Sequence, residues 1–387
     1  MENKRTRVLC VFGTRPEAIK MAPVIREMSR DPGHIKARIC VTAQHREMLD
    51  QMMNLFHVKP DIDLDLMQRD QTLPELTSRV LTRMTEVLKE ERPDWVLVQG
   101  DTTTVMATSL ASFYLRIPVG HIEAGLRTDD PYRPFPEEIN RRLVSVVGTY
   151  HFAPTARAQA ALLAEGVLAE RVFLTGNTVV DAIHWILRPP PSRQAQKLFD
   201  DLGLPALAGA KAGSLPVRVI LVTAHRRESF GPPFEALCRG LREVAERNED
   251  VLLVYPVHLN PKVRNPVNSI LSGQSRIRLI DPLSYEPFLR LMNSSYFIFT
   301  DSGGIQEEAS VLGKPVLVLR EATERPEIIE AGIGKLVGTD EQKMITEAER
   351  LLHDKDVYQT MAKKAELFGD GHAAERIVGI LMGNGQS

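Results

Sequence analysis

The stretch RVLCVFGTRPEAIK (residues 7–20) decides how this chain is read. Arg7 to Phe12 form a short apolar, β-branched run that ends at once on Gly13, the pattern of a buried strand rather than a helix face. Pro16 then stands where it can open a helix at its first turn. Strand, glycine turn and helix make one βα unit, and the pattern recurs. Candidate strands follow at 36–42, 94–99, 117–121, 150–153 and 171–174, and a second series runs through 217–223, 251–256, 276–280, 296–300, 315–319 and 335–337. Near-continuous apolar strands alternating with helical patterns predict α/β folding around parallel sheets covered on both faces. Between the two series, Arg188-Pro-Pro-Pro-Ser-Arg193 and the small-residue stretch 206–215 read as linker or surface loop. The chain of 387 residues therefore divides into two doubly wound domains of similar size.

Composition removes several function classes. With 48 Lys and Arg against 50 Asp and Glu the net charge is −2, and no polybasic run marks a nucleic-acid or membrane patch. The three cysteines form no CxxC pair, which excludes a disulfide framework and argues against a cysteine-rich zinc site. The apolar stretch Val8 to Phe12 is too short for a signal segment, and no run approaches a membrane span. The expected location is the cytoplasm. No P-loop is present, and the first strand leads into Gly13-Thr-Arg-Pro-Glu17 instead of GxGxxG, so P-loop chemistry and nicotinamide hydride transfer are disfavoured.

Chemistry-bearing residues sit at strand ends, where ligands bind in such folds. After the first strand, the glycine turn and helix N-terminus can seat a phosphate, with Arg15 adding a fork of donors and Lys20 one turn on; a plain capped turn is the bland alternative. Asp101 follows the strand at 94–99, Glu123 the strand at 117–121, and Glu137 opens a helix after Pro134-Phe-Pro136. Glu137 and Glu138 also read as ordinary helix-surface pairs with Arg141 and Arg142. Three fixed carboxylates suit proton removal from one face and return to another. In the second half, His225 stands beside Arg226 and Arg227, a cationic cluster at a strand end. Ser302-Gly303-Gly304 lets backbone N–H groups approach a diphosphate, while Glu308, one turn into the helix, can reach a ribose diol.

Taken in order, FGTRPEAIKMAPV (12–24), VTAQHREMLDQ (41–51), VQGDTTT (98–104), HIEAGLRT (121–128), PFPEEINRR (134–142), GNTVVDA (176–182), TAHRRESFG (223–231), YPVHLNP (255–261), TDSGGIQEEA (300–309), LREATERPE (319–327) and GHAAERI (371–377) closely resemble the non-hydrolysing UDP-N-acetylglucosamine 2-epimerases. The resemblance implies a GT-B architecture: two Rossmann-like domains, here 1–176 and 177–367, an active site in the cleft between them, and a C-terminal helix at about 368–387 returning to the first. It implies a homodimer that interconverts UDP-GlcNAc and UDP-ManNAc without NAD or metal, by anti elimination of UDP to 2-acetamidoglucal and re-addition. The family's acid/base residues map onto Asp101, Glu123 and Glu137, with Arg141 and His225 in support. Its UDP contacts map onto Arg15, Lys20, Phe288, Ser302, Gly303, Gly304, Glu308 and Arg325. An activating second UDP-GlcNAc site maps onto Gln44, Gln71, Arg226 and His258, with Glu47 and Asp70 where that pattern has Gln and Arg. Readings kept alongside are a 2-epimerase of a modified UDP sugar such as a 2,3-diacetamido uronic acid, a hydrolysing epimerase, a GT-B glycosyltransferase and a catalytically silent UDP-sugar sensor.

Overall fold

The computed structural model describes residues 5–42, 46–66, 68, 71–204 and 217–383. Gln44, the Glu47 side chain, Asp70 and the small-residue stretch 206–215 lie outside the described residues. Contacts divide the chain into two units, Met1–His184 with Phe368–Ser387, and Trp185–Leu367.

In the first unit the elements run β1 (Thr6–Phe12), α1 (Arg15–Met28), β2 (Ile35–Val41), α2 (Arg46–Leu55), β3 (Ile62–Asp63), α3 (Leu73–Glu91), β4 (Trp95–Gln99), α4 (Thr103–Tyr114), β5 (Val119–Ile122), α5 (Glu137–Val147), β6 (Tyr150–Ala153), α6 (Ala156–Ala164), β7 (Val172–Leu174) and α7 (Thr178–Leu187). The second continues with α8 (Arg193–Asp201), β8 (Arg218–Thr223), α9 (Pro232–Arg247), β9 (Val251–Pro256), α10 (Pro261–Leu271), β10 (Ile277–Ile280), α11 (Tyr285–Ser294), β11 (Phe297–Thr300), α12 (Gly303–Leu312), β12 (Val316–Val318), α13 (Pro326–Glu330), β13 (Gly334–Leu336), α14 (Glu341–His353) and α15 (Lys355–Met361). Helix α16 (Ala373–Leu381) belongs to the first unit.

Every expected strand is present within a residue or two. The exception is β3, a two-residue edge strand paired through Cys40 and Ile62, too short to carry a periodicity of its own. Both sheets are parallel, ordered β3-β2-β1-β4-β5-β6-β7 and β10-β9-β8-β11-β12-β13. Each is the Rossmann winding, with the strand order reversing between β1 and β4 in one unit and between β8 and β11 in the other. The fold class is thus the one expected, two Rossmann-like doubly wound units as in the GT-B class.

Each unit has its own core. Leu9, Val11, Val96 and Val98 lie under α3 and α4 in the first, and Ile220, Val222, Leu253, Phe297 and Phe299 under α9 and α14 in the second. The first unit runs on past residue 176 to His184, inside α7. The reason is local: the Asp181 carboxylate accepts from the N–H groups of Ala373 (3.3 Å) and Ala374 (3.0 Å), capping α16, and Asn177 N–H donates to Phe368 O at 2.6 Å. Among the described residues, no helix is long and apolar enough to cross a membrane.

Candidate active site

The β1–α1 turn closes on itself. Glu17, 2% exposed, accepts from Gly13 N–H (2.9 Å) and Thr14 N–H (2.7 Å) through Oε2, and from the Thr102 hydroxyl (2.7 Å) through Oε1. Burial pushes its carboxyl above the ordinary range, against these hydrogen bonds. The Gly13 and Thr14 N–H groups of this turn are therefore taken by the Glu17 carboxylate rather than left for a phosphate, and a Cβ on Gly13 would meet Thr42 Oγ1 at 2.1 Å. Arg15, half-buried, is the first residue of α1.

At the carboxyl end of β4, Asp101 Oδ2 accepts from Arg141 Nη1 at 2.6 Å, and its carbonyl accepts from Asn140 Nδ2 at 2.9 Å. Arg141, 4% exposed, sends Nη2 to Glu138 Oε2 at 2.8 Å. Glu138 is fully buried. Its burial favours the neutral acid, but Arg141, the Thr128 N–H and Arg142 outweigh it and hold the carboxyl below its usual range. The expected i,i+4 pair with Arg142 is present at 3.0 Å, but Glu138 lies inside rather than on the helix surface. Half-buried Glu137 begins α5 beside it.

Glu123 follows β5 in a left-handed conformation, φ 65°, 6% exposed. Its carboxylate accepts from Lys20 Nζ (2.5 Å), Asn177 Nδ2 (3.3 Å) and Gln99 Nε2. A non-glycine residue held there by three donors is the kind of backbone strain that clusters at functional sites. Lys20 thus reaches a carboxylate of its own unit. Gly125, φ 92°, lets this loop press on α6: a Cβ would stand 2.2 Å from Ala158 O. Beneath, His121 donates Nε2–H to Gly100 O at 2.7 Å, and burial lowers its pKa to about 3.

In the second unit the same switch-point geometry holds the β8 turn. Asp301, 1% exposed, accepts through Oδ2 from the N–H groups of His225 (2.6 Å) and Arg226 (2.7 Å). His225 stacks on His258 with ring centroids 5.3 Å apart and planes 10° apart, and its Nδ1 lies 3.6 Å from Asp301 Oδ1. Burial lowers the His225 pKa against the pull of Asp301, and His258 and Arg226 add to the lowering. The α12 N-terminus has Ser302 as N-cap with no side-chain capping bond. Neither glycine after it is demanded by the fold: a Cβ on Gly304 would meet nothing within 4 Å, and one on Gly303 would make ordinary contacts with Glu324 Oε2 at 3.4 Å and Arg325 Cζ at 3.9 Å.

Glu308, 7% exposed, takes the Tyr285 hydroxyl on Oε1 at 2.8 Å, so one oxygen expected to face a ribose diol already has a partner. Arg325 donates Nε–H to Glu307 and Nη1 to Glu324 O at 3.1 Å. Phe288 is 8% exposed on α11. Of the residues mapped to an activating site, Gln71 lies in the first unit, its Oε1 accepting from Arg79 at 3.1 Å, and Arg226 and His258 lie in the second.

The structure thus gathers Asp101, Arg141, Glu137, Glu123 and Lys20 in the first unit, and His225, Arg226, Ser302, Gly303, Gly304, Glu308 and Arg325 in the second. Sequence reasoning gave no role to Glu17, Gln99, Glu138, Asn177 or Asp301. All five stood inside quoted motifs; their signal was a polar side chain within an otherwise apolar strand end or helix start.

Comparison with known proteins agrees. The family model for UDP-N-acetylglucosamine 2-epimerase matches residues 26–382. An Escherichia coli O157:H7 protein named UDP-N-acetylglucosamine 2-epimerase is 52% identical over 378 residues, 98% of this chain and 99% of its own. The crystal structure of the Neisseria meningitidis UDP-GlcNAc 2-epimerase, bound to UDP-GlcNAc, is similar with TM-score 0.88 and 46% identity over 98% of this chain and all of that one. The Methanocaldococcus jannaschii UDP-GlcNAc 2-epimerase, in complex with UDP-GlcNAc and UDP, matches with TM-score 0.81 and 33% identity over 97% of this chain and 99% of that one. On a full-length sequence match and a shared two-unit fold, the chain belongs to the UDP-N-acetylglucosamine 2-epimerase family, whose members are isomerases.

Proposed function

We propose that this protein interconverts UDP-GlcNAc and UDP-ManNAc at carbon 2, without hydrolysis, by anti elimination of UDP and its re-addition. Carbon 2 has no adjacent carbonyl and its hydrogen is poorly acidic. A base removes that proton as the bond from carbon 1 to the diphosphate oxygen breaks, and the electron pair leaves with UDP. The double bond of 2-acetamidoglucal forms between carbons 1 and 2. On return, an acid protonates carbon 2 from the opposite face and the diphosphate oxygen re-forms the bond to carbon 1. No electrons enter or leave the system, so the cycle calls for no redox cofactor.

The observation that carries this reading is the trio Asp101, Glu123 and Glu137 at the strand-end side of one Rossmann unit, two of them fixed by cations, the buried Arg141 and the half-buried Lys20. Such carboxylates provide acid and base, an assistance typically worth about 10²- to 10⁴-fold. The second unit carries groups suited to a diphosphate: the α12 N-terminus without a side-chain cap, two glycines that the fold does not demand, and Arg226, Arg325 and His225. A glycosyltransferase has no use for three carboxylates of this kind. We further infer a homodimer in the cytoplasm. Ile139, Leu143 and Val146 form an exposed stripe on α5, with Phe113 and Tyr114 exposed at the end of neighbouring α4, and Cys10, Cys40 and Cys238 are buried free thiols suited to a reducing compartment.

Incubation with UDP-GlcNAc in D2O, followed by NMR, tests the reading. Deuterium at carbon 2 of an intact UDP sugar, with UDP-ManNAc appearing, is expected. Free N-acetylmannosamine would replace it with hydrolysis, and no exchange would refute epimerisation.

A further inference from the structure

Glu138 takes no part in the chemistry above, yet it is the most buried carboxylate of the first unit's site, with no exposed surface. Its four hydrogen bonds run to three places. Oε2 accepts from Arg141 Nη2 at 2.8 Å and from both the N–H and the hydroxyl of Thr128 at 3.1 Å, and Oε1 accepts from Arg142 Nε at 3.0 Å. Arg141 carries the link to Asp101, because its planar guanidinium holds Glu138 on one terminal nitrogen and Asp101 on the other, 2.6 Å away. A planar fork clamped between two carboxylates has little rotational freedom left. Thr128 carries a second link, to the loop that starts at Glu123 in its left-handed conformation and is tied down again where Arg127 Nη2 meets Ser145 Oγ at 2.9 Å. The third link is covalent: Glu138 follows Glu137 in the first turn of α5.

We propose that Glu138 is the positioning residue that sets Asp101, Glu123 and Glu137 in mutual register, acting through Arg141, Thr128 and the α5 backbone, a role that rests on the epimerase reading. It meets no substrate. Because acid–base transfer to carbon 2 depends on placement to within about 1 Å, loosening this hub lowers turnover on the order of 10- to 100-fold while leaving the grip on UDP intact.

The test compares wild type, Glu138→Gln, Glu138→Asp and Thr128→Val in kcat and KM for UDP-GlcNAc, carbon 2 deuterium exchange, and the Kd for UDP by calorimetry. The expected result is a 10- to 100-fold lower kcat in Glu138→Gln, partial recovery in Glu138→Asp, a several-fold loss in Thr128→Val, and a UDP Kd within about twofold throughout. Glu138→Gln added to Arg141→Lys should cost little more than Arg141→Lys alone, since both break one chain of contacts. Multiplicative losses in that pair, or wild-type kcat in folded Glu138→Gln, would overturn the proposal. If Glu138→Gln does not fold, wild-type kcat in Thr128→Val overturns it instead. Wild-type enzyme without carbon 2 exchange would sink the epimerase reading, a separate result.

Discussion

Lys20 Nζ lies 2.5 Å from Glu123 Oε1, with the two side chains 12% and 6% exposed. An ion pair this dry is costly to break from one side, because the remaining charge stays buried. Lys20→Met is therefore expected to lower unfolding stability by about 3 kcal/mol in urea titrations. Epimerisation should fall sharply while the UDP Kd moves less than about threefold, a margin of under 1 kcal/mol. A tenfold or greater loss of UDP affinity, with stability kept, would show that Lys20 serves the diphosphate instead.

Asp101→Asn keeps the shape of the side chain and an oxygen able to accept from Arg141, but it cannot take up or return a proton. Carbon 2 deuterium exchange should drop by about 10²-fold or more, with UDP still bound. Wild-type exchange in this variant would remove Asp101 from the chemistry.

Gly125→Ala places a Cβ 2.2 Å from Ala158 O at φ 92°. Backbone strain and overpacking act together here, each of order 1–3 kcal/mol, so a loss on the order of 3 kcal/mol is expected. Thermal melting checks it; an unchanged Tm would mean that α6 moves aside freely.

His121 and His151 sit opposite each other on adjacent strands, 0% and 1% exposed, with pKa values lowered by burial to about 3 and about 4. Below pH 6.5 the unfolded chain binds protons that the native state refuses, so their contribution is complete above pH 6.5 and is lost as pH falls from there towards 4. Each histidine should remove about 1.6 kcal/mol between pH 6.5 and 5. Unfolding free energies of His151→Asn measured at both pH values should show a shallower acid loss than wild type by that amount; an equal slope would refute it.

Asp301→Ala frees the N–H groups of His225 and Arg226 from their shared acceptor, loosening the β8 turn. The UDP Kd should rise about tenfold, equivalent to about 1.4 kcal/mol, with the fold intact by circular dichroism. Unchanged affinity would detach this turn from nucleotide binding.

Much of this was legible in one dimension. The strands announced themselves because both faces of a parallel sheet are covered, leaving long apolar runs such as Val219 to Val222, and the glycines and prolines between them marked the turns. Asp101, Glu123 and Glu137 stood out as acidic residues just after such runs. What stayed hidden was pairing. Whether Gly13 and Thr14 offer N–H groups to a ligand depends on whether Glu17 turns back onto them, and that is a rotamer choice. Which of two adjacent glutamates faces inward depends on the direction in which α5 leaves its proline-rich approach, and here it buried Glu138.

The order of residues by itself determined the element alternation, the two doubly wound units and the family, since local propensity and the apolar pattern are properties of short segments. Tertiary structure alone decided which cation meets which carboxylate: Lys20 with Glu123, 103 positions apart, and Arg141 with Asp101, 40 apart. Those partnerships arise only when parallel strands bring distant turns to one end of a sheet, where a buried charge must find whichever opposite charge the winding places beside it.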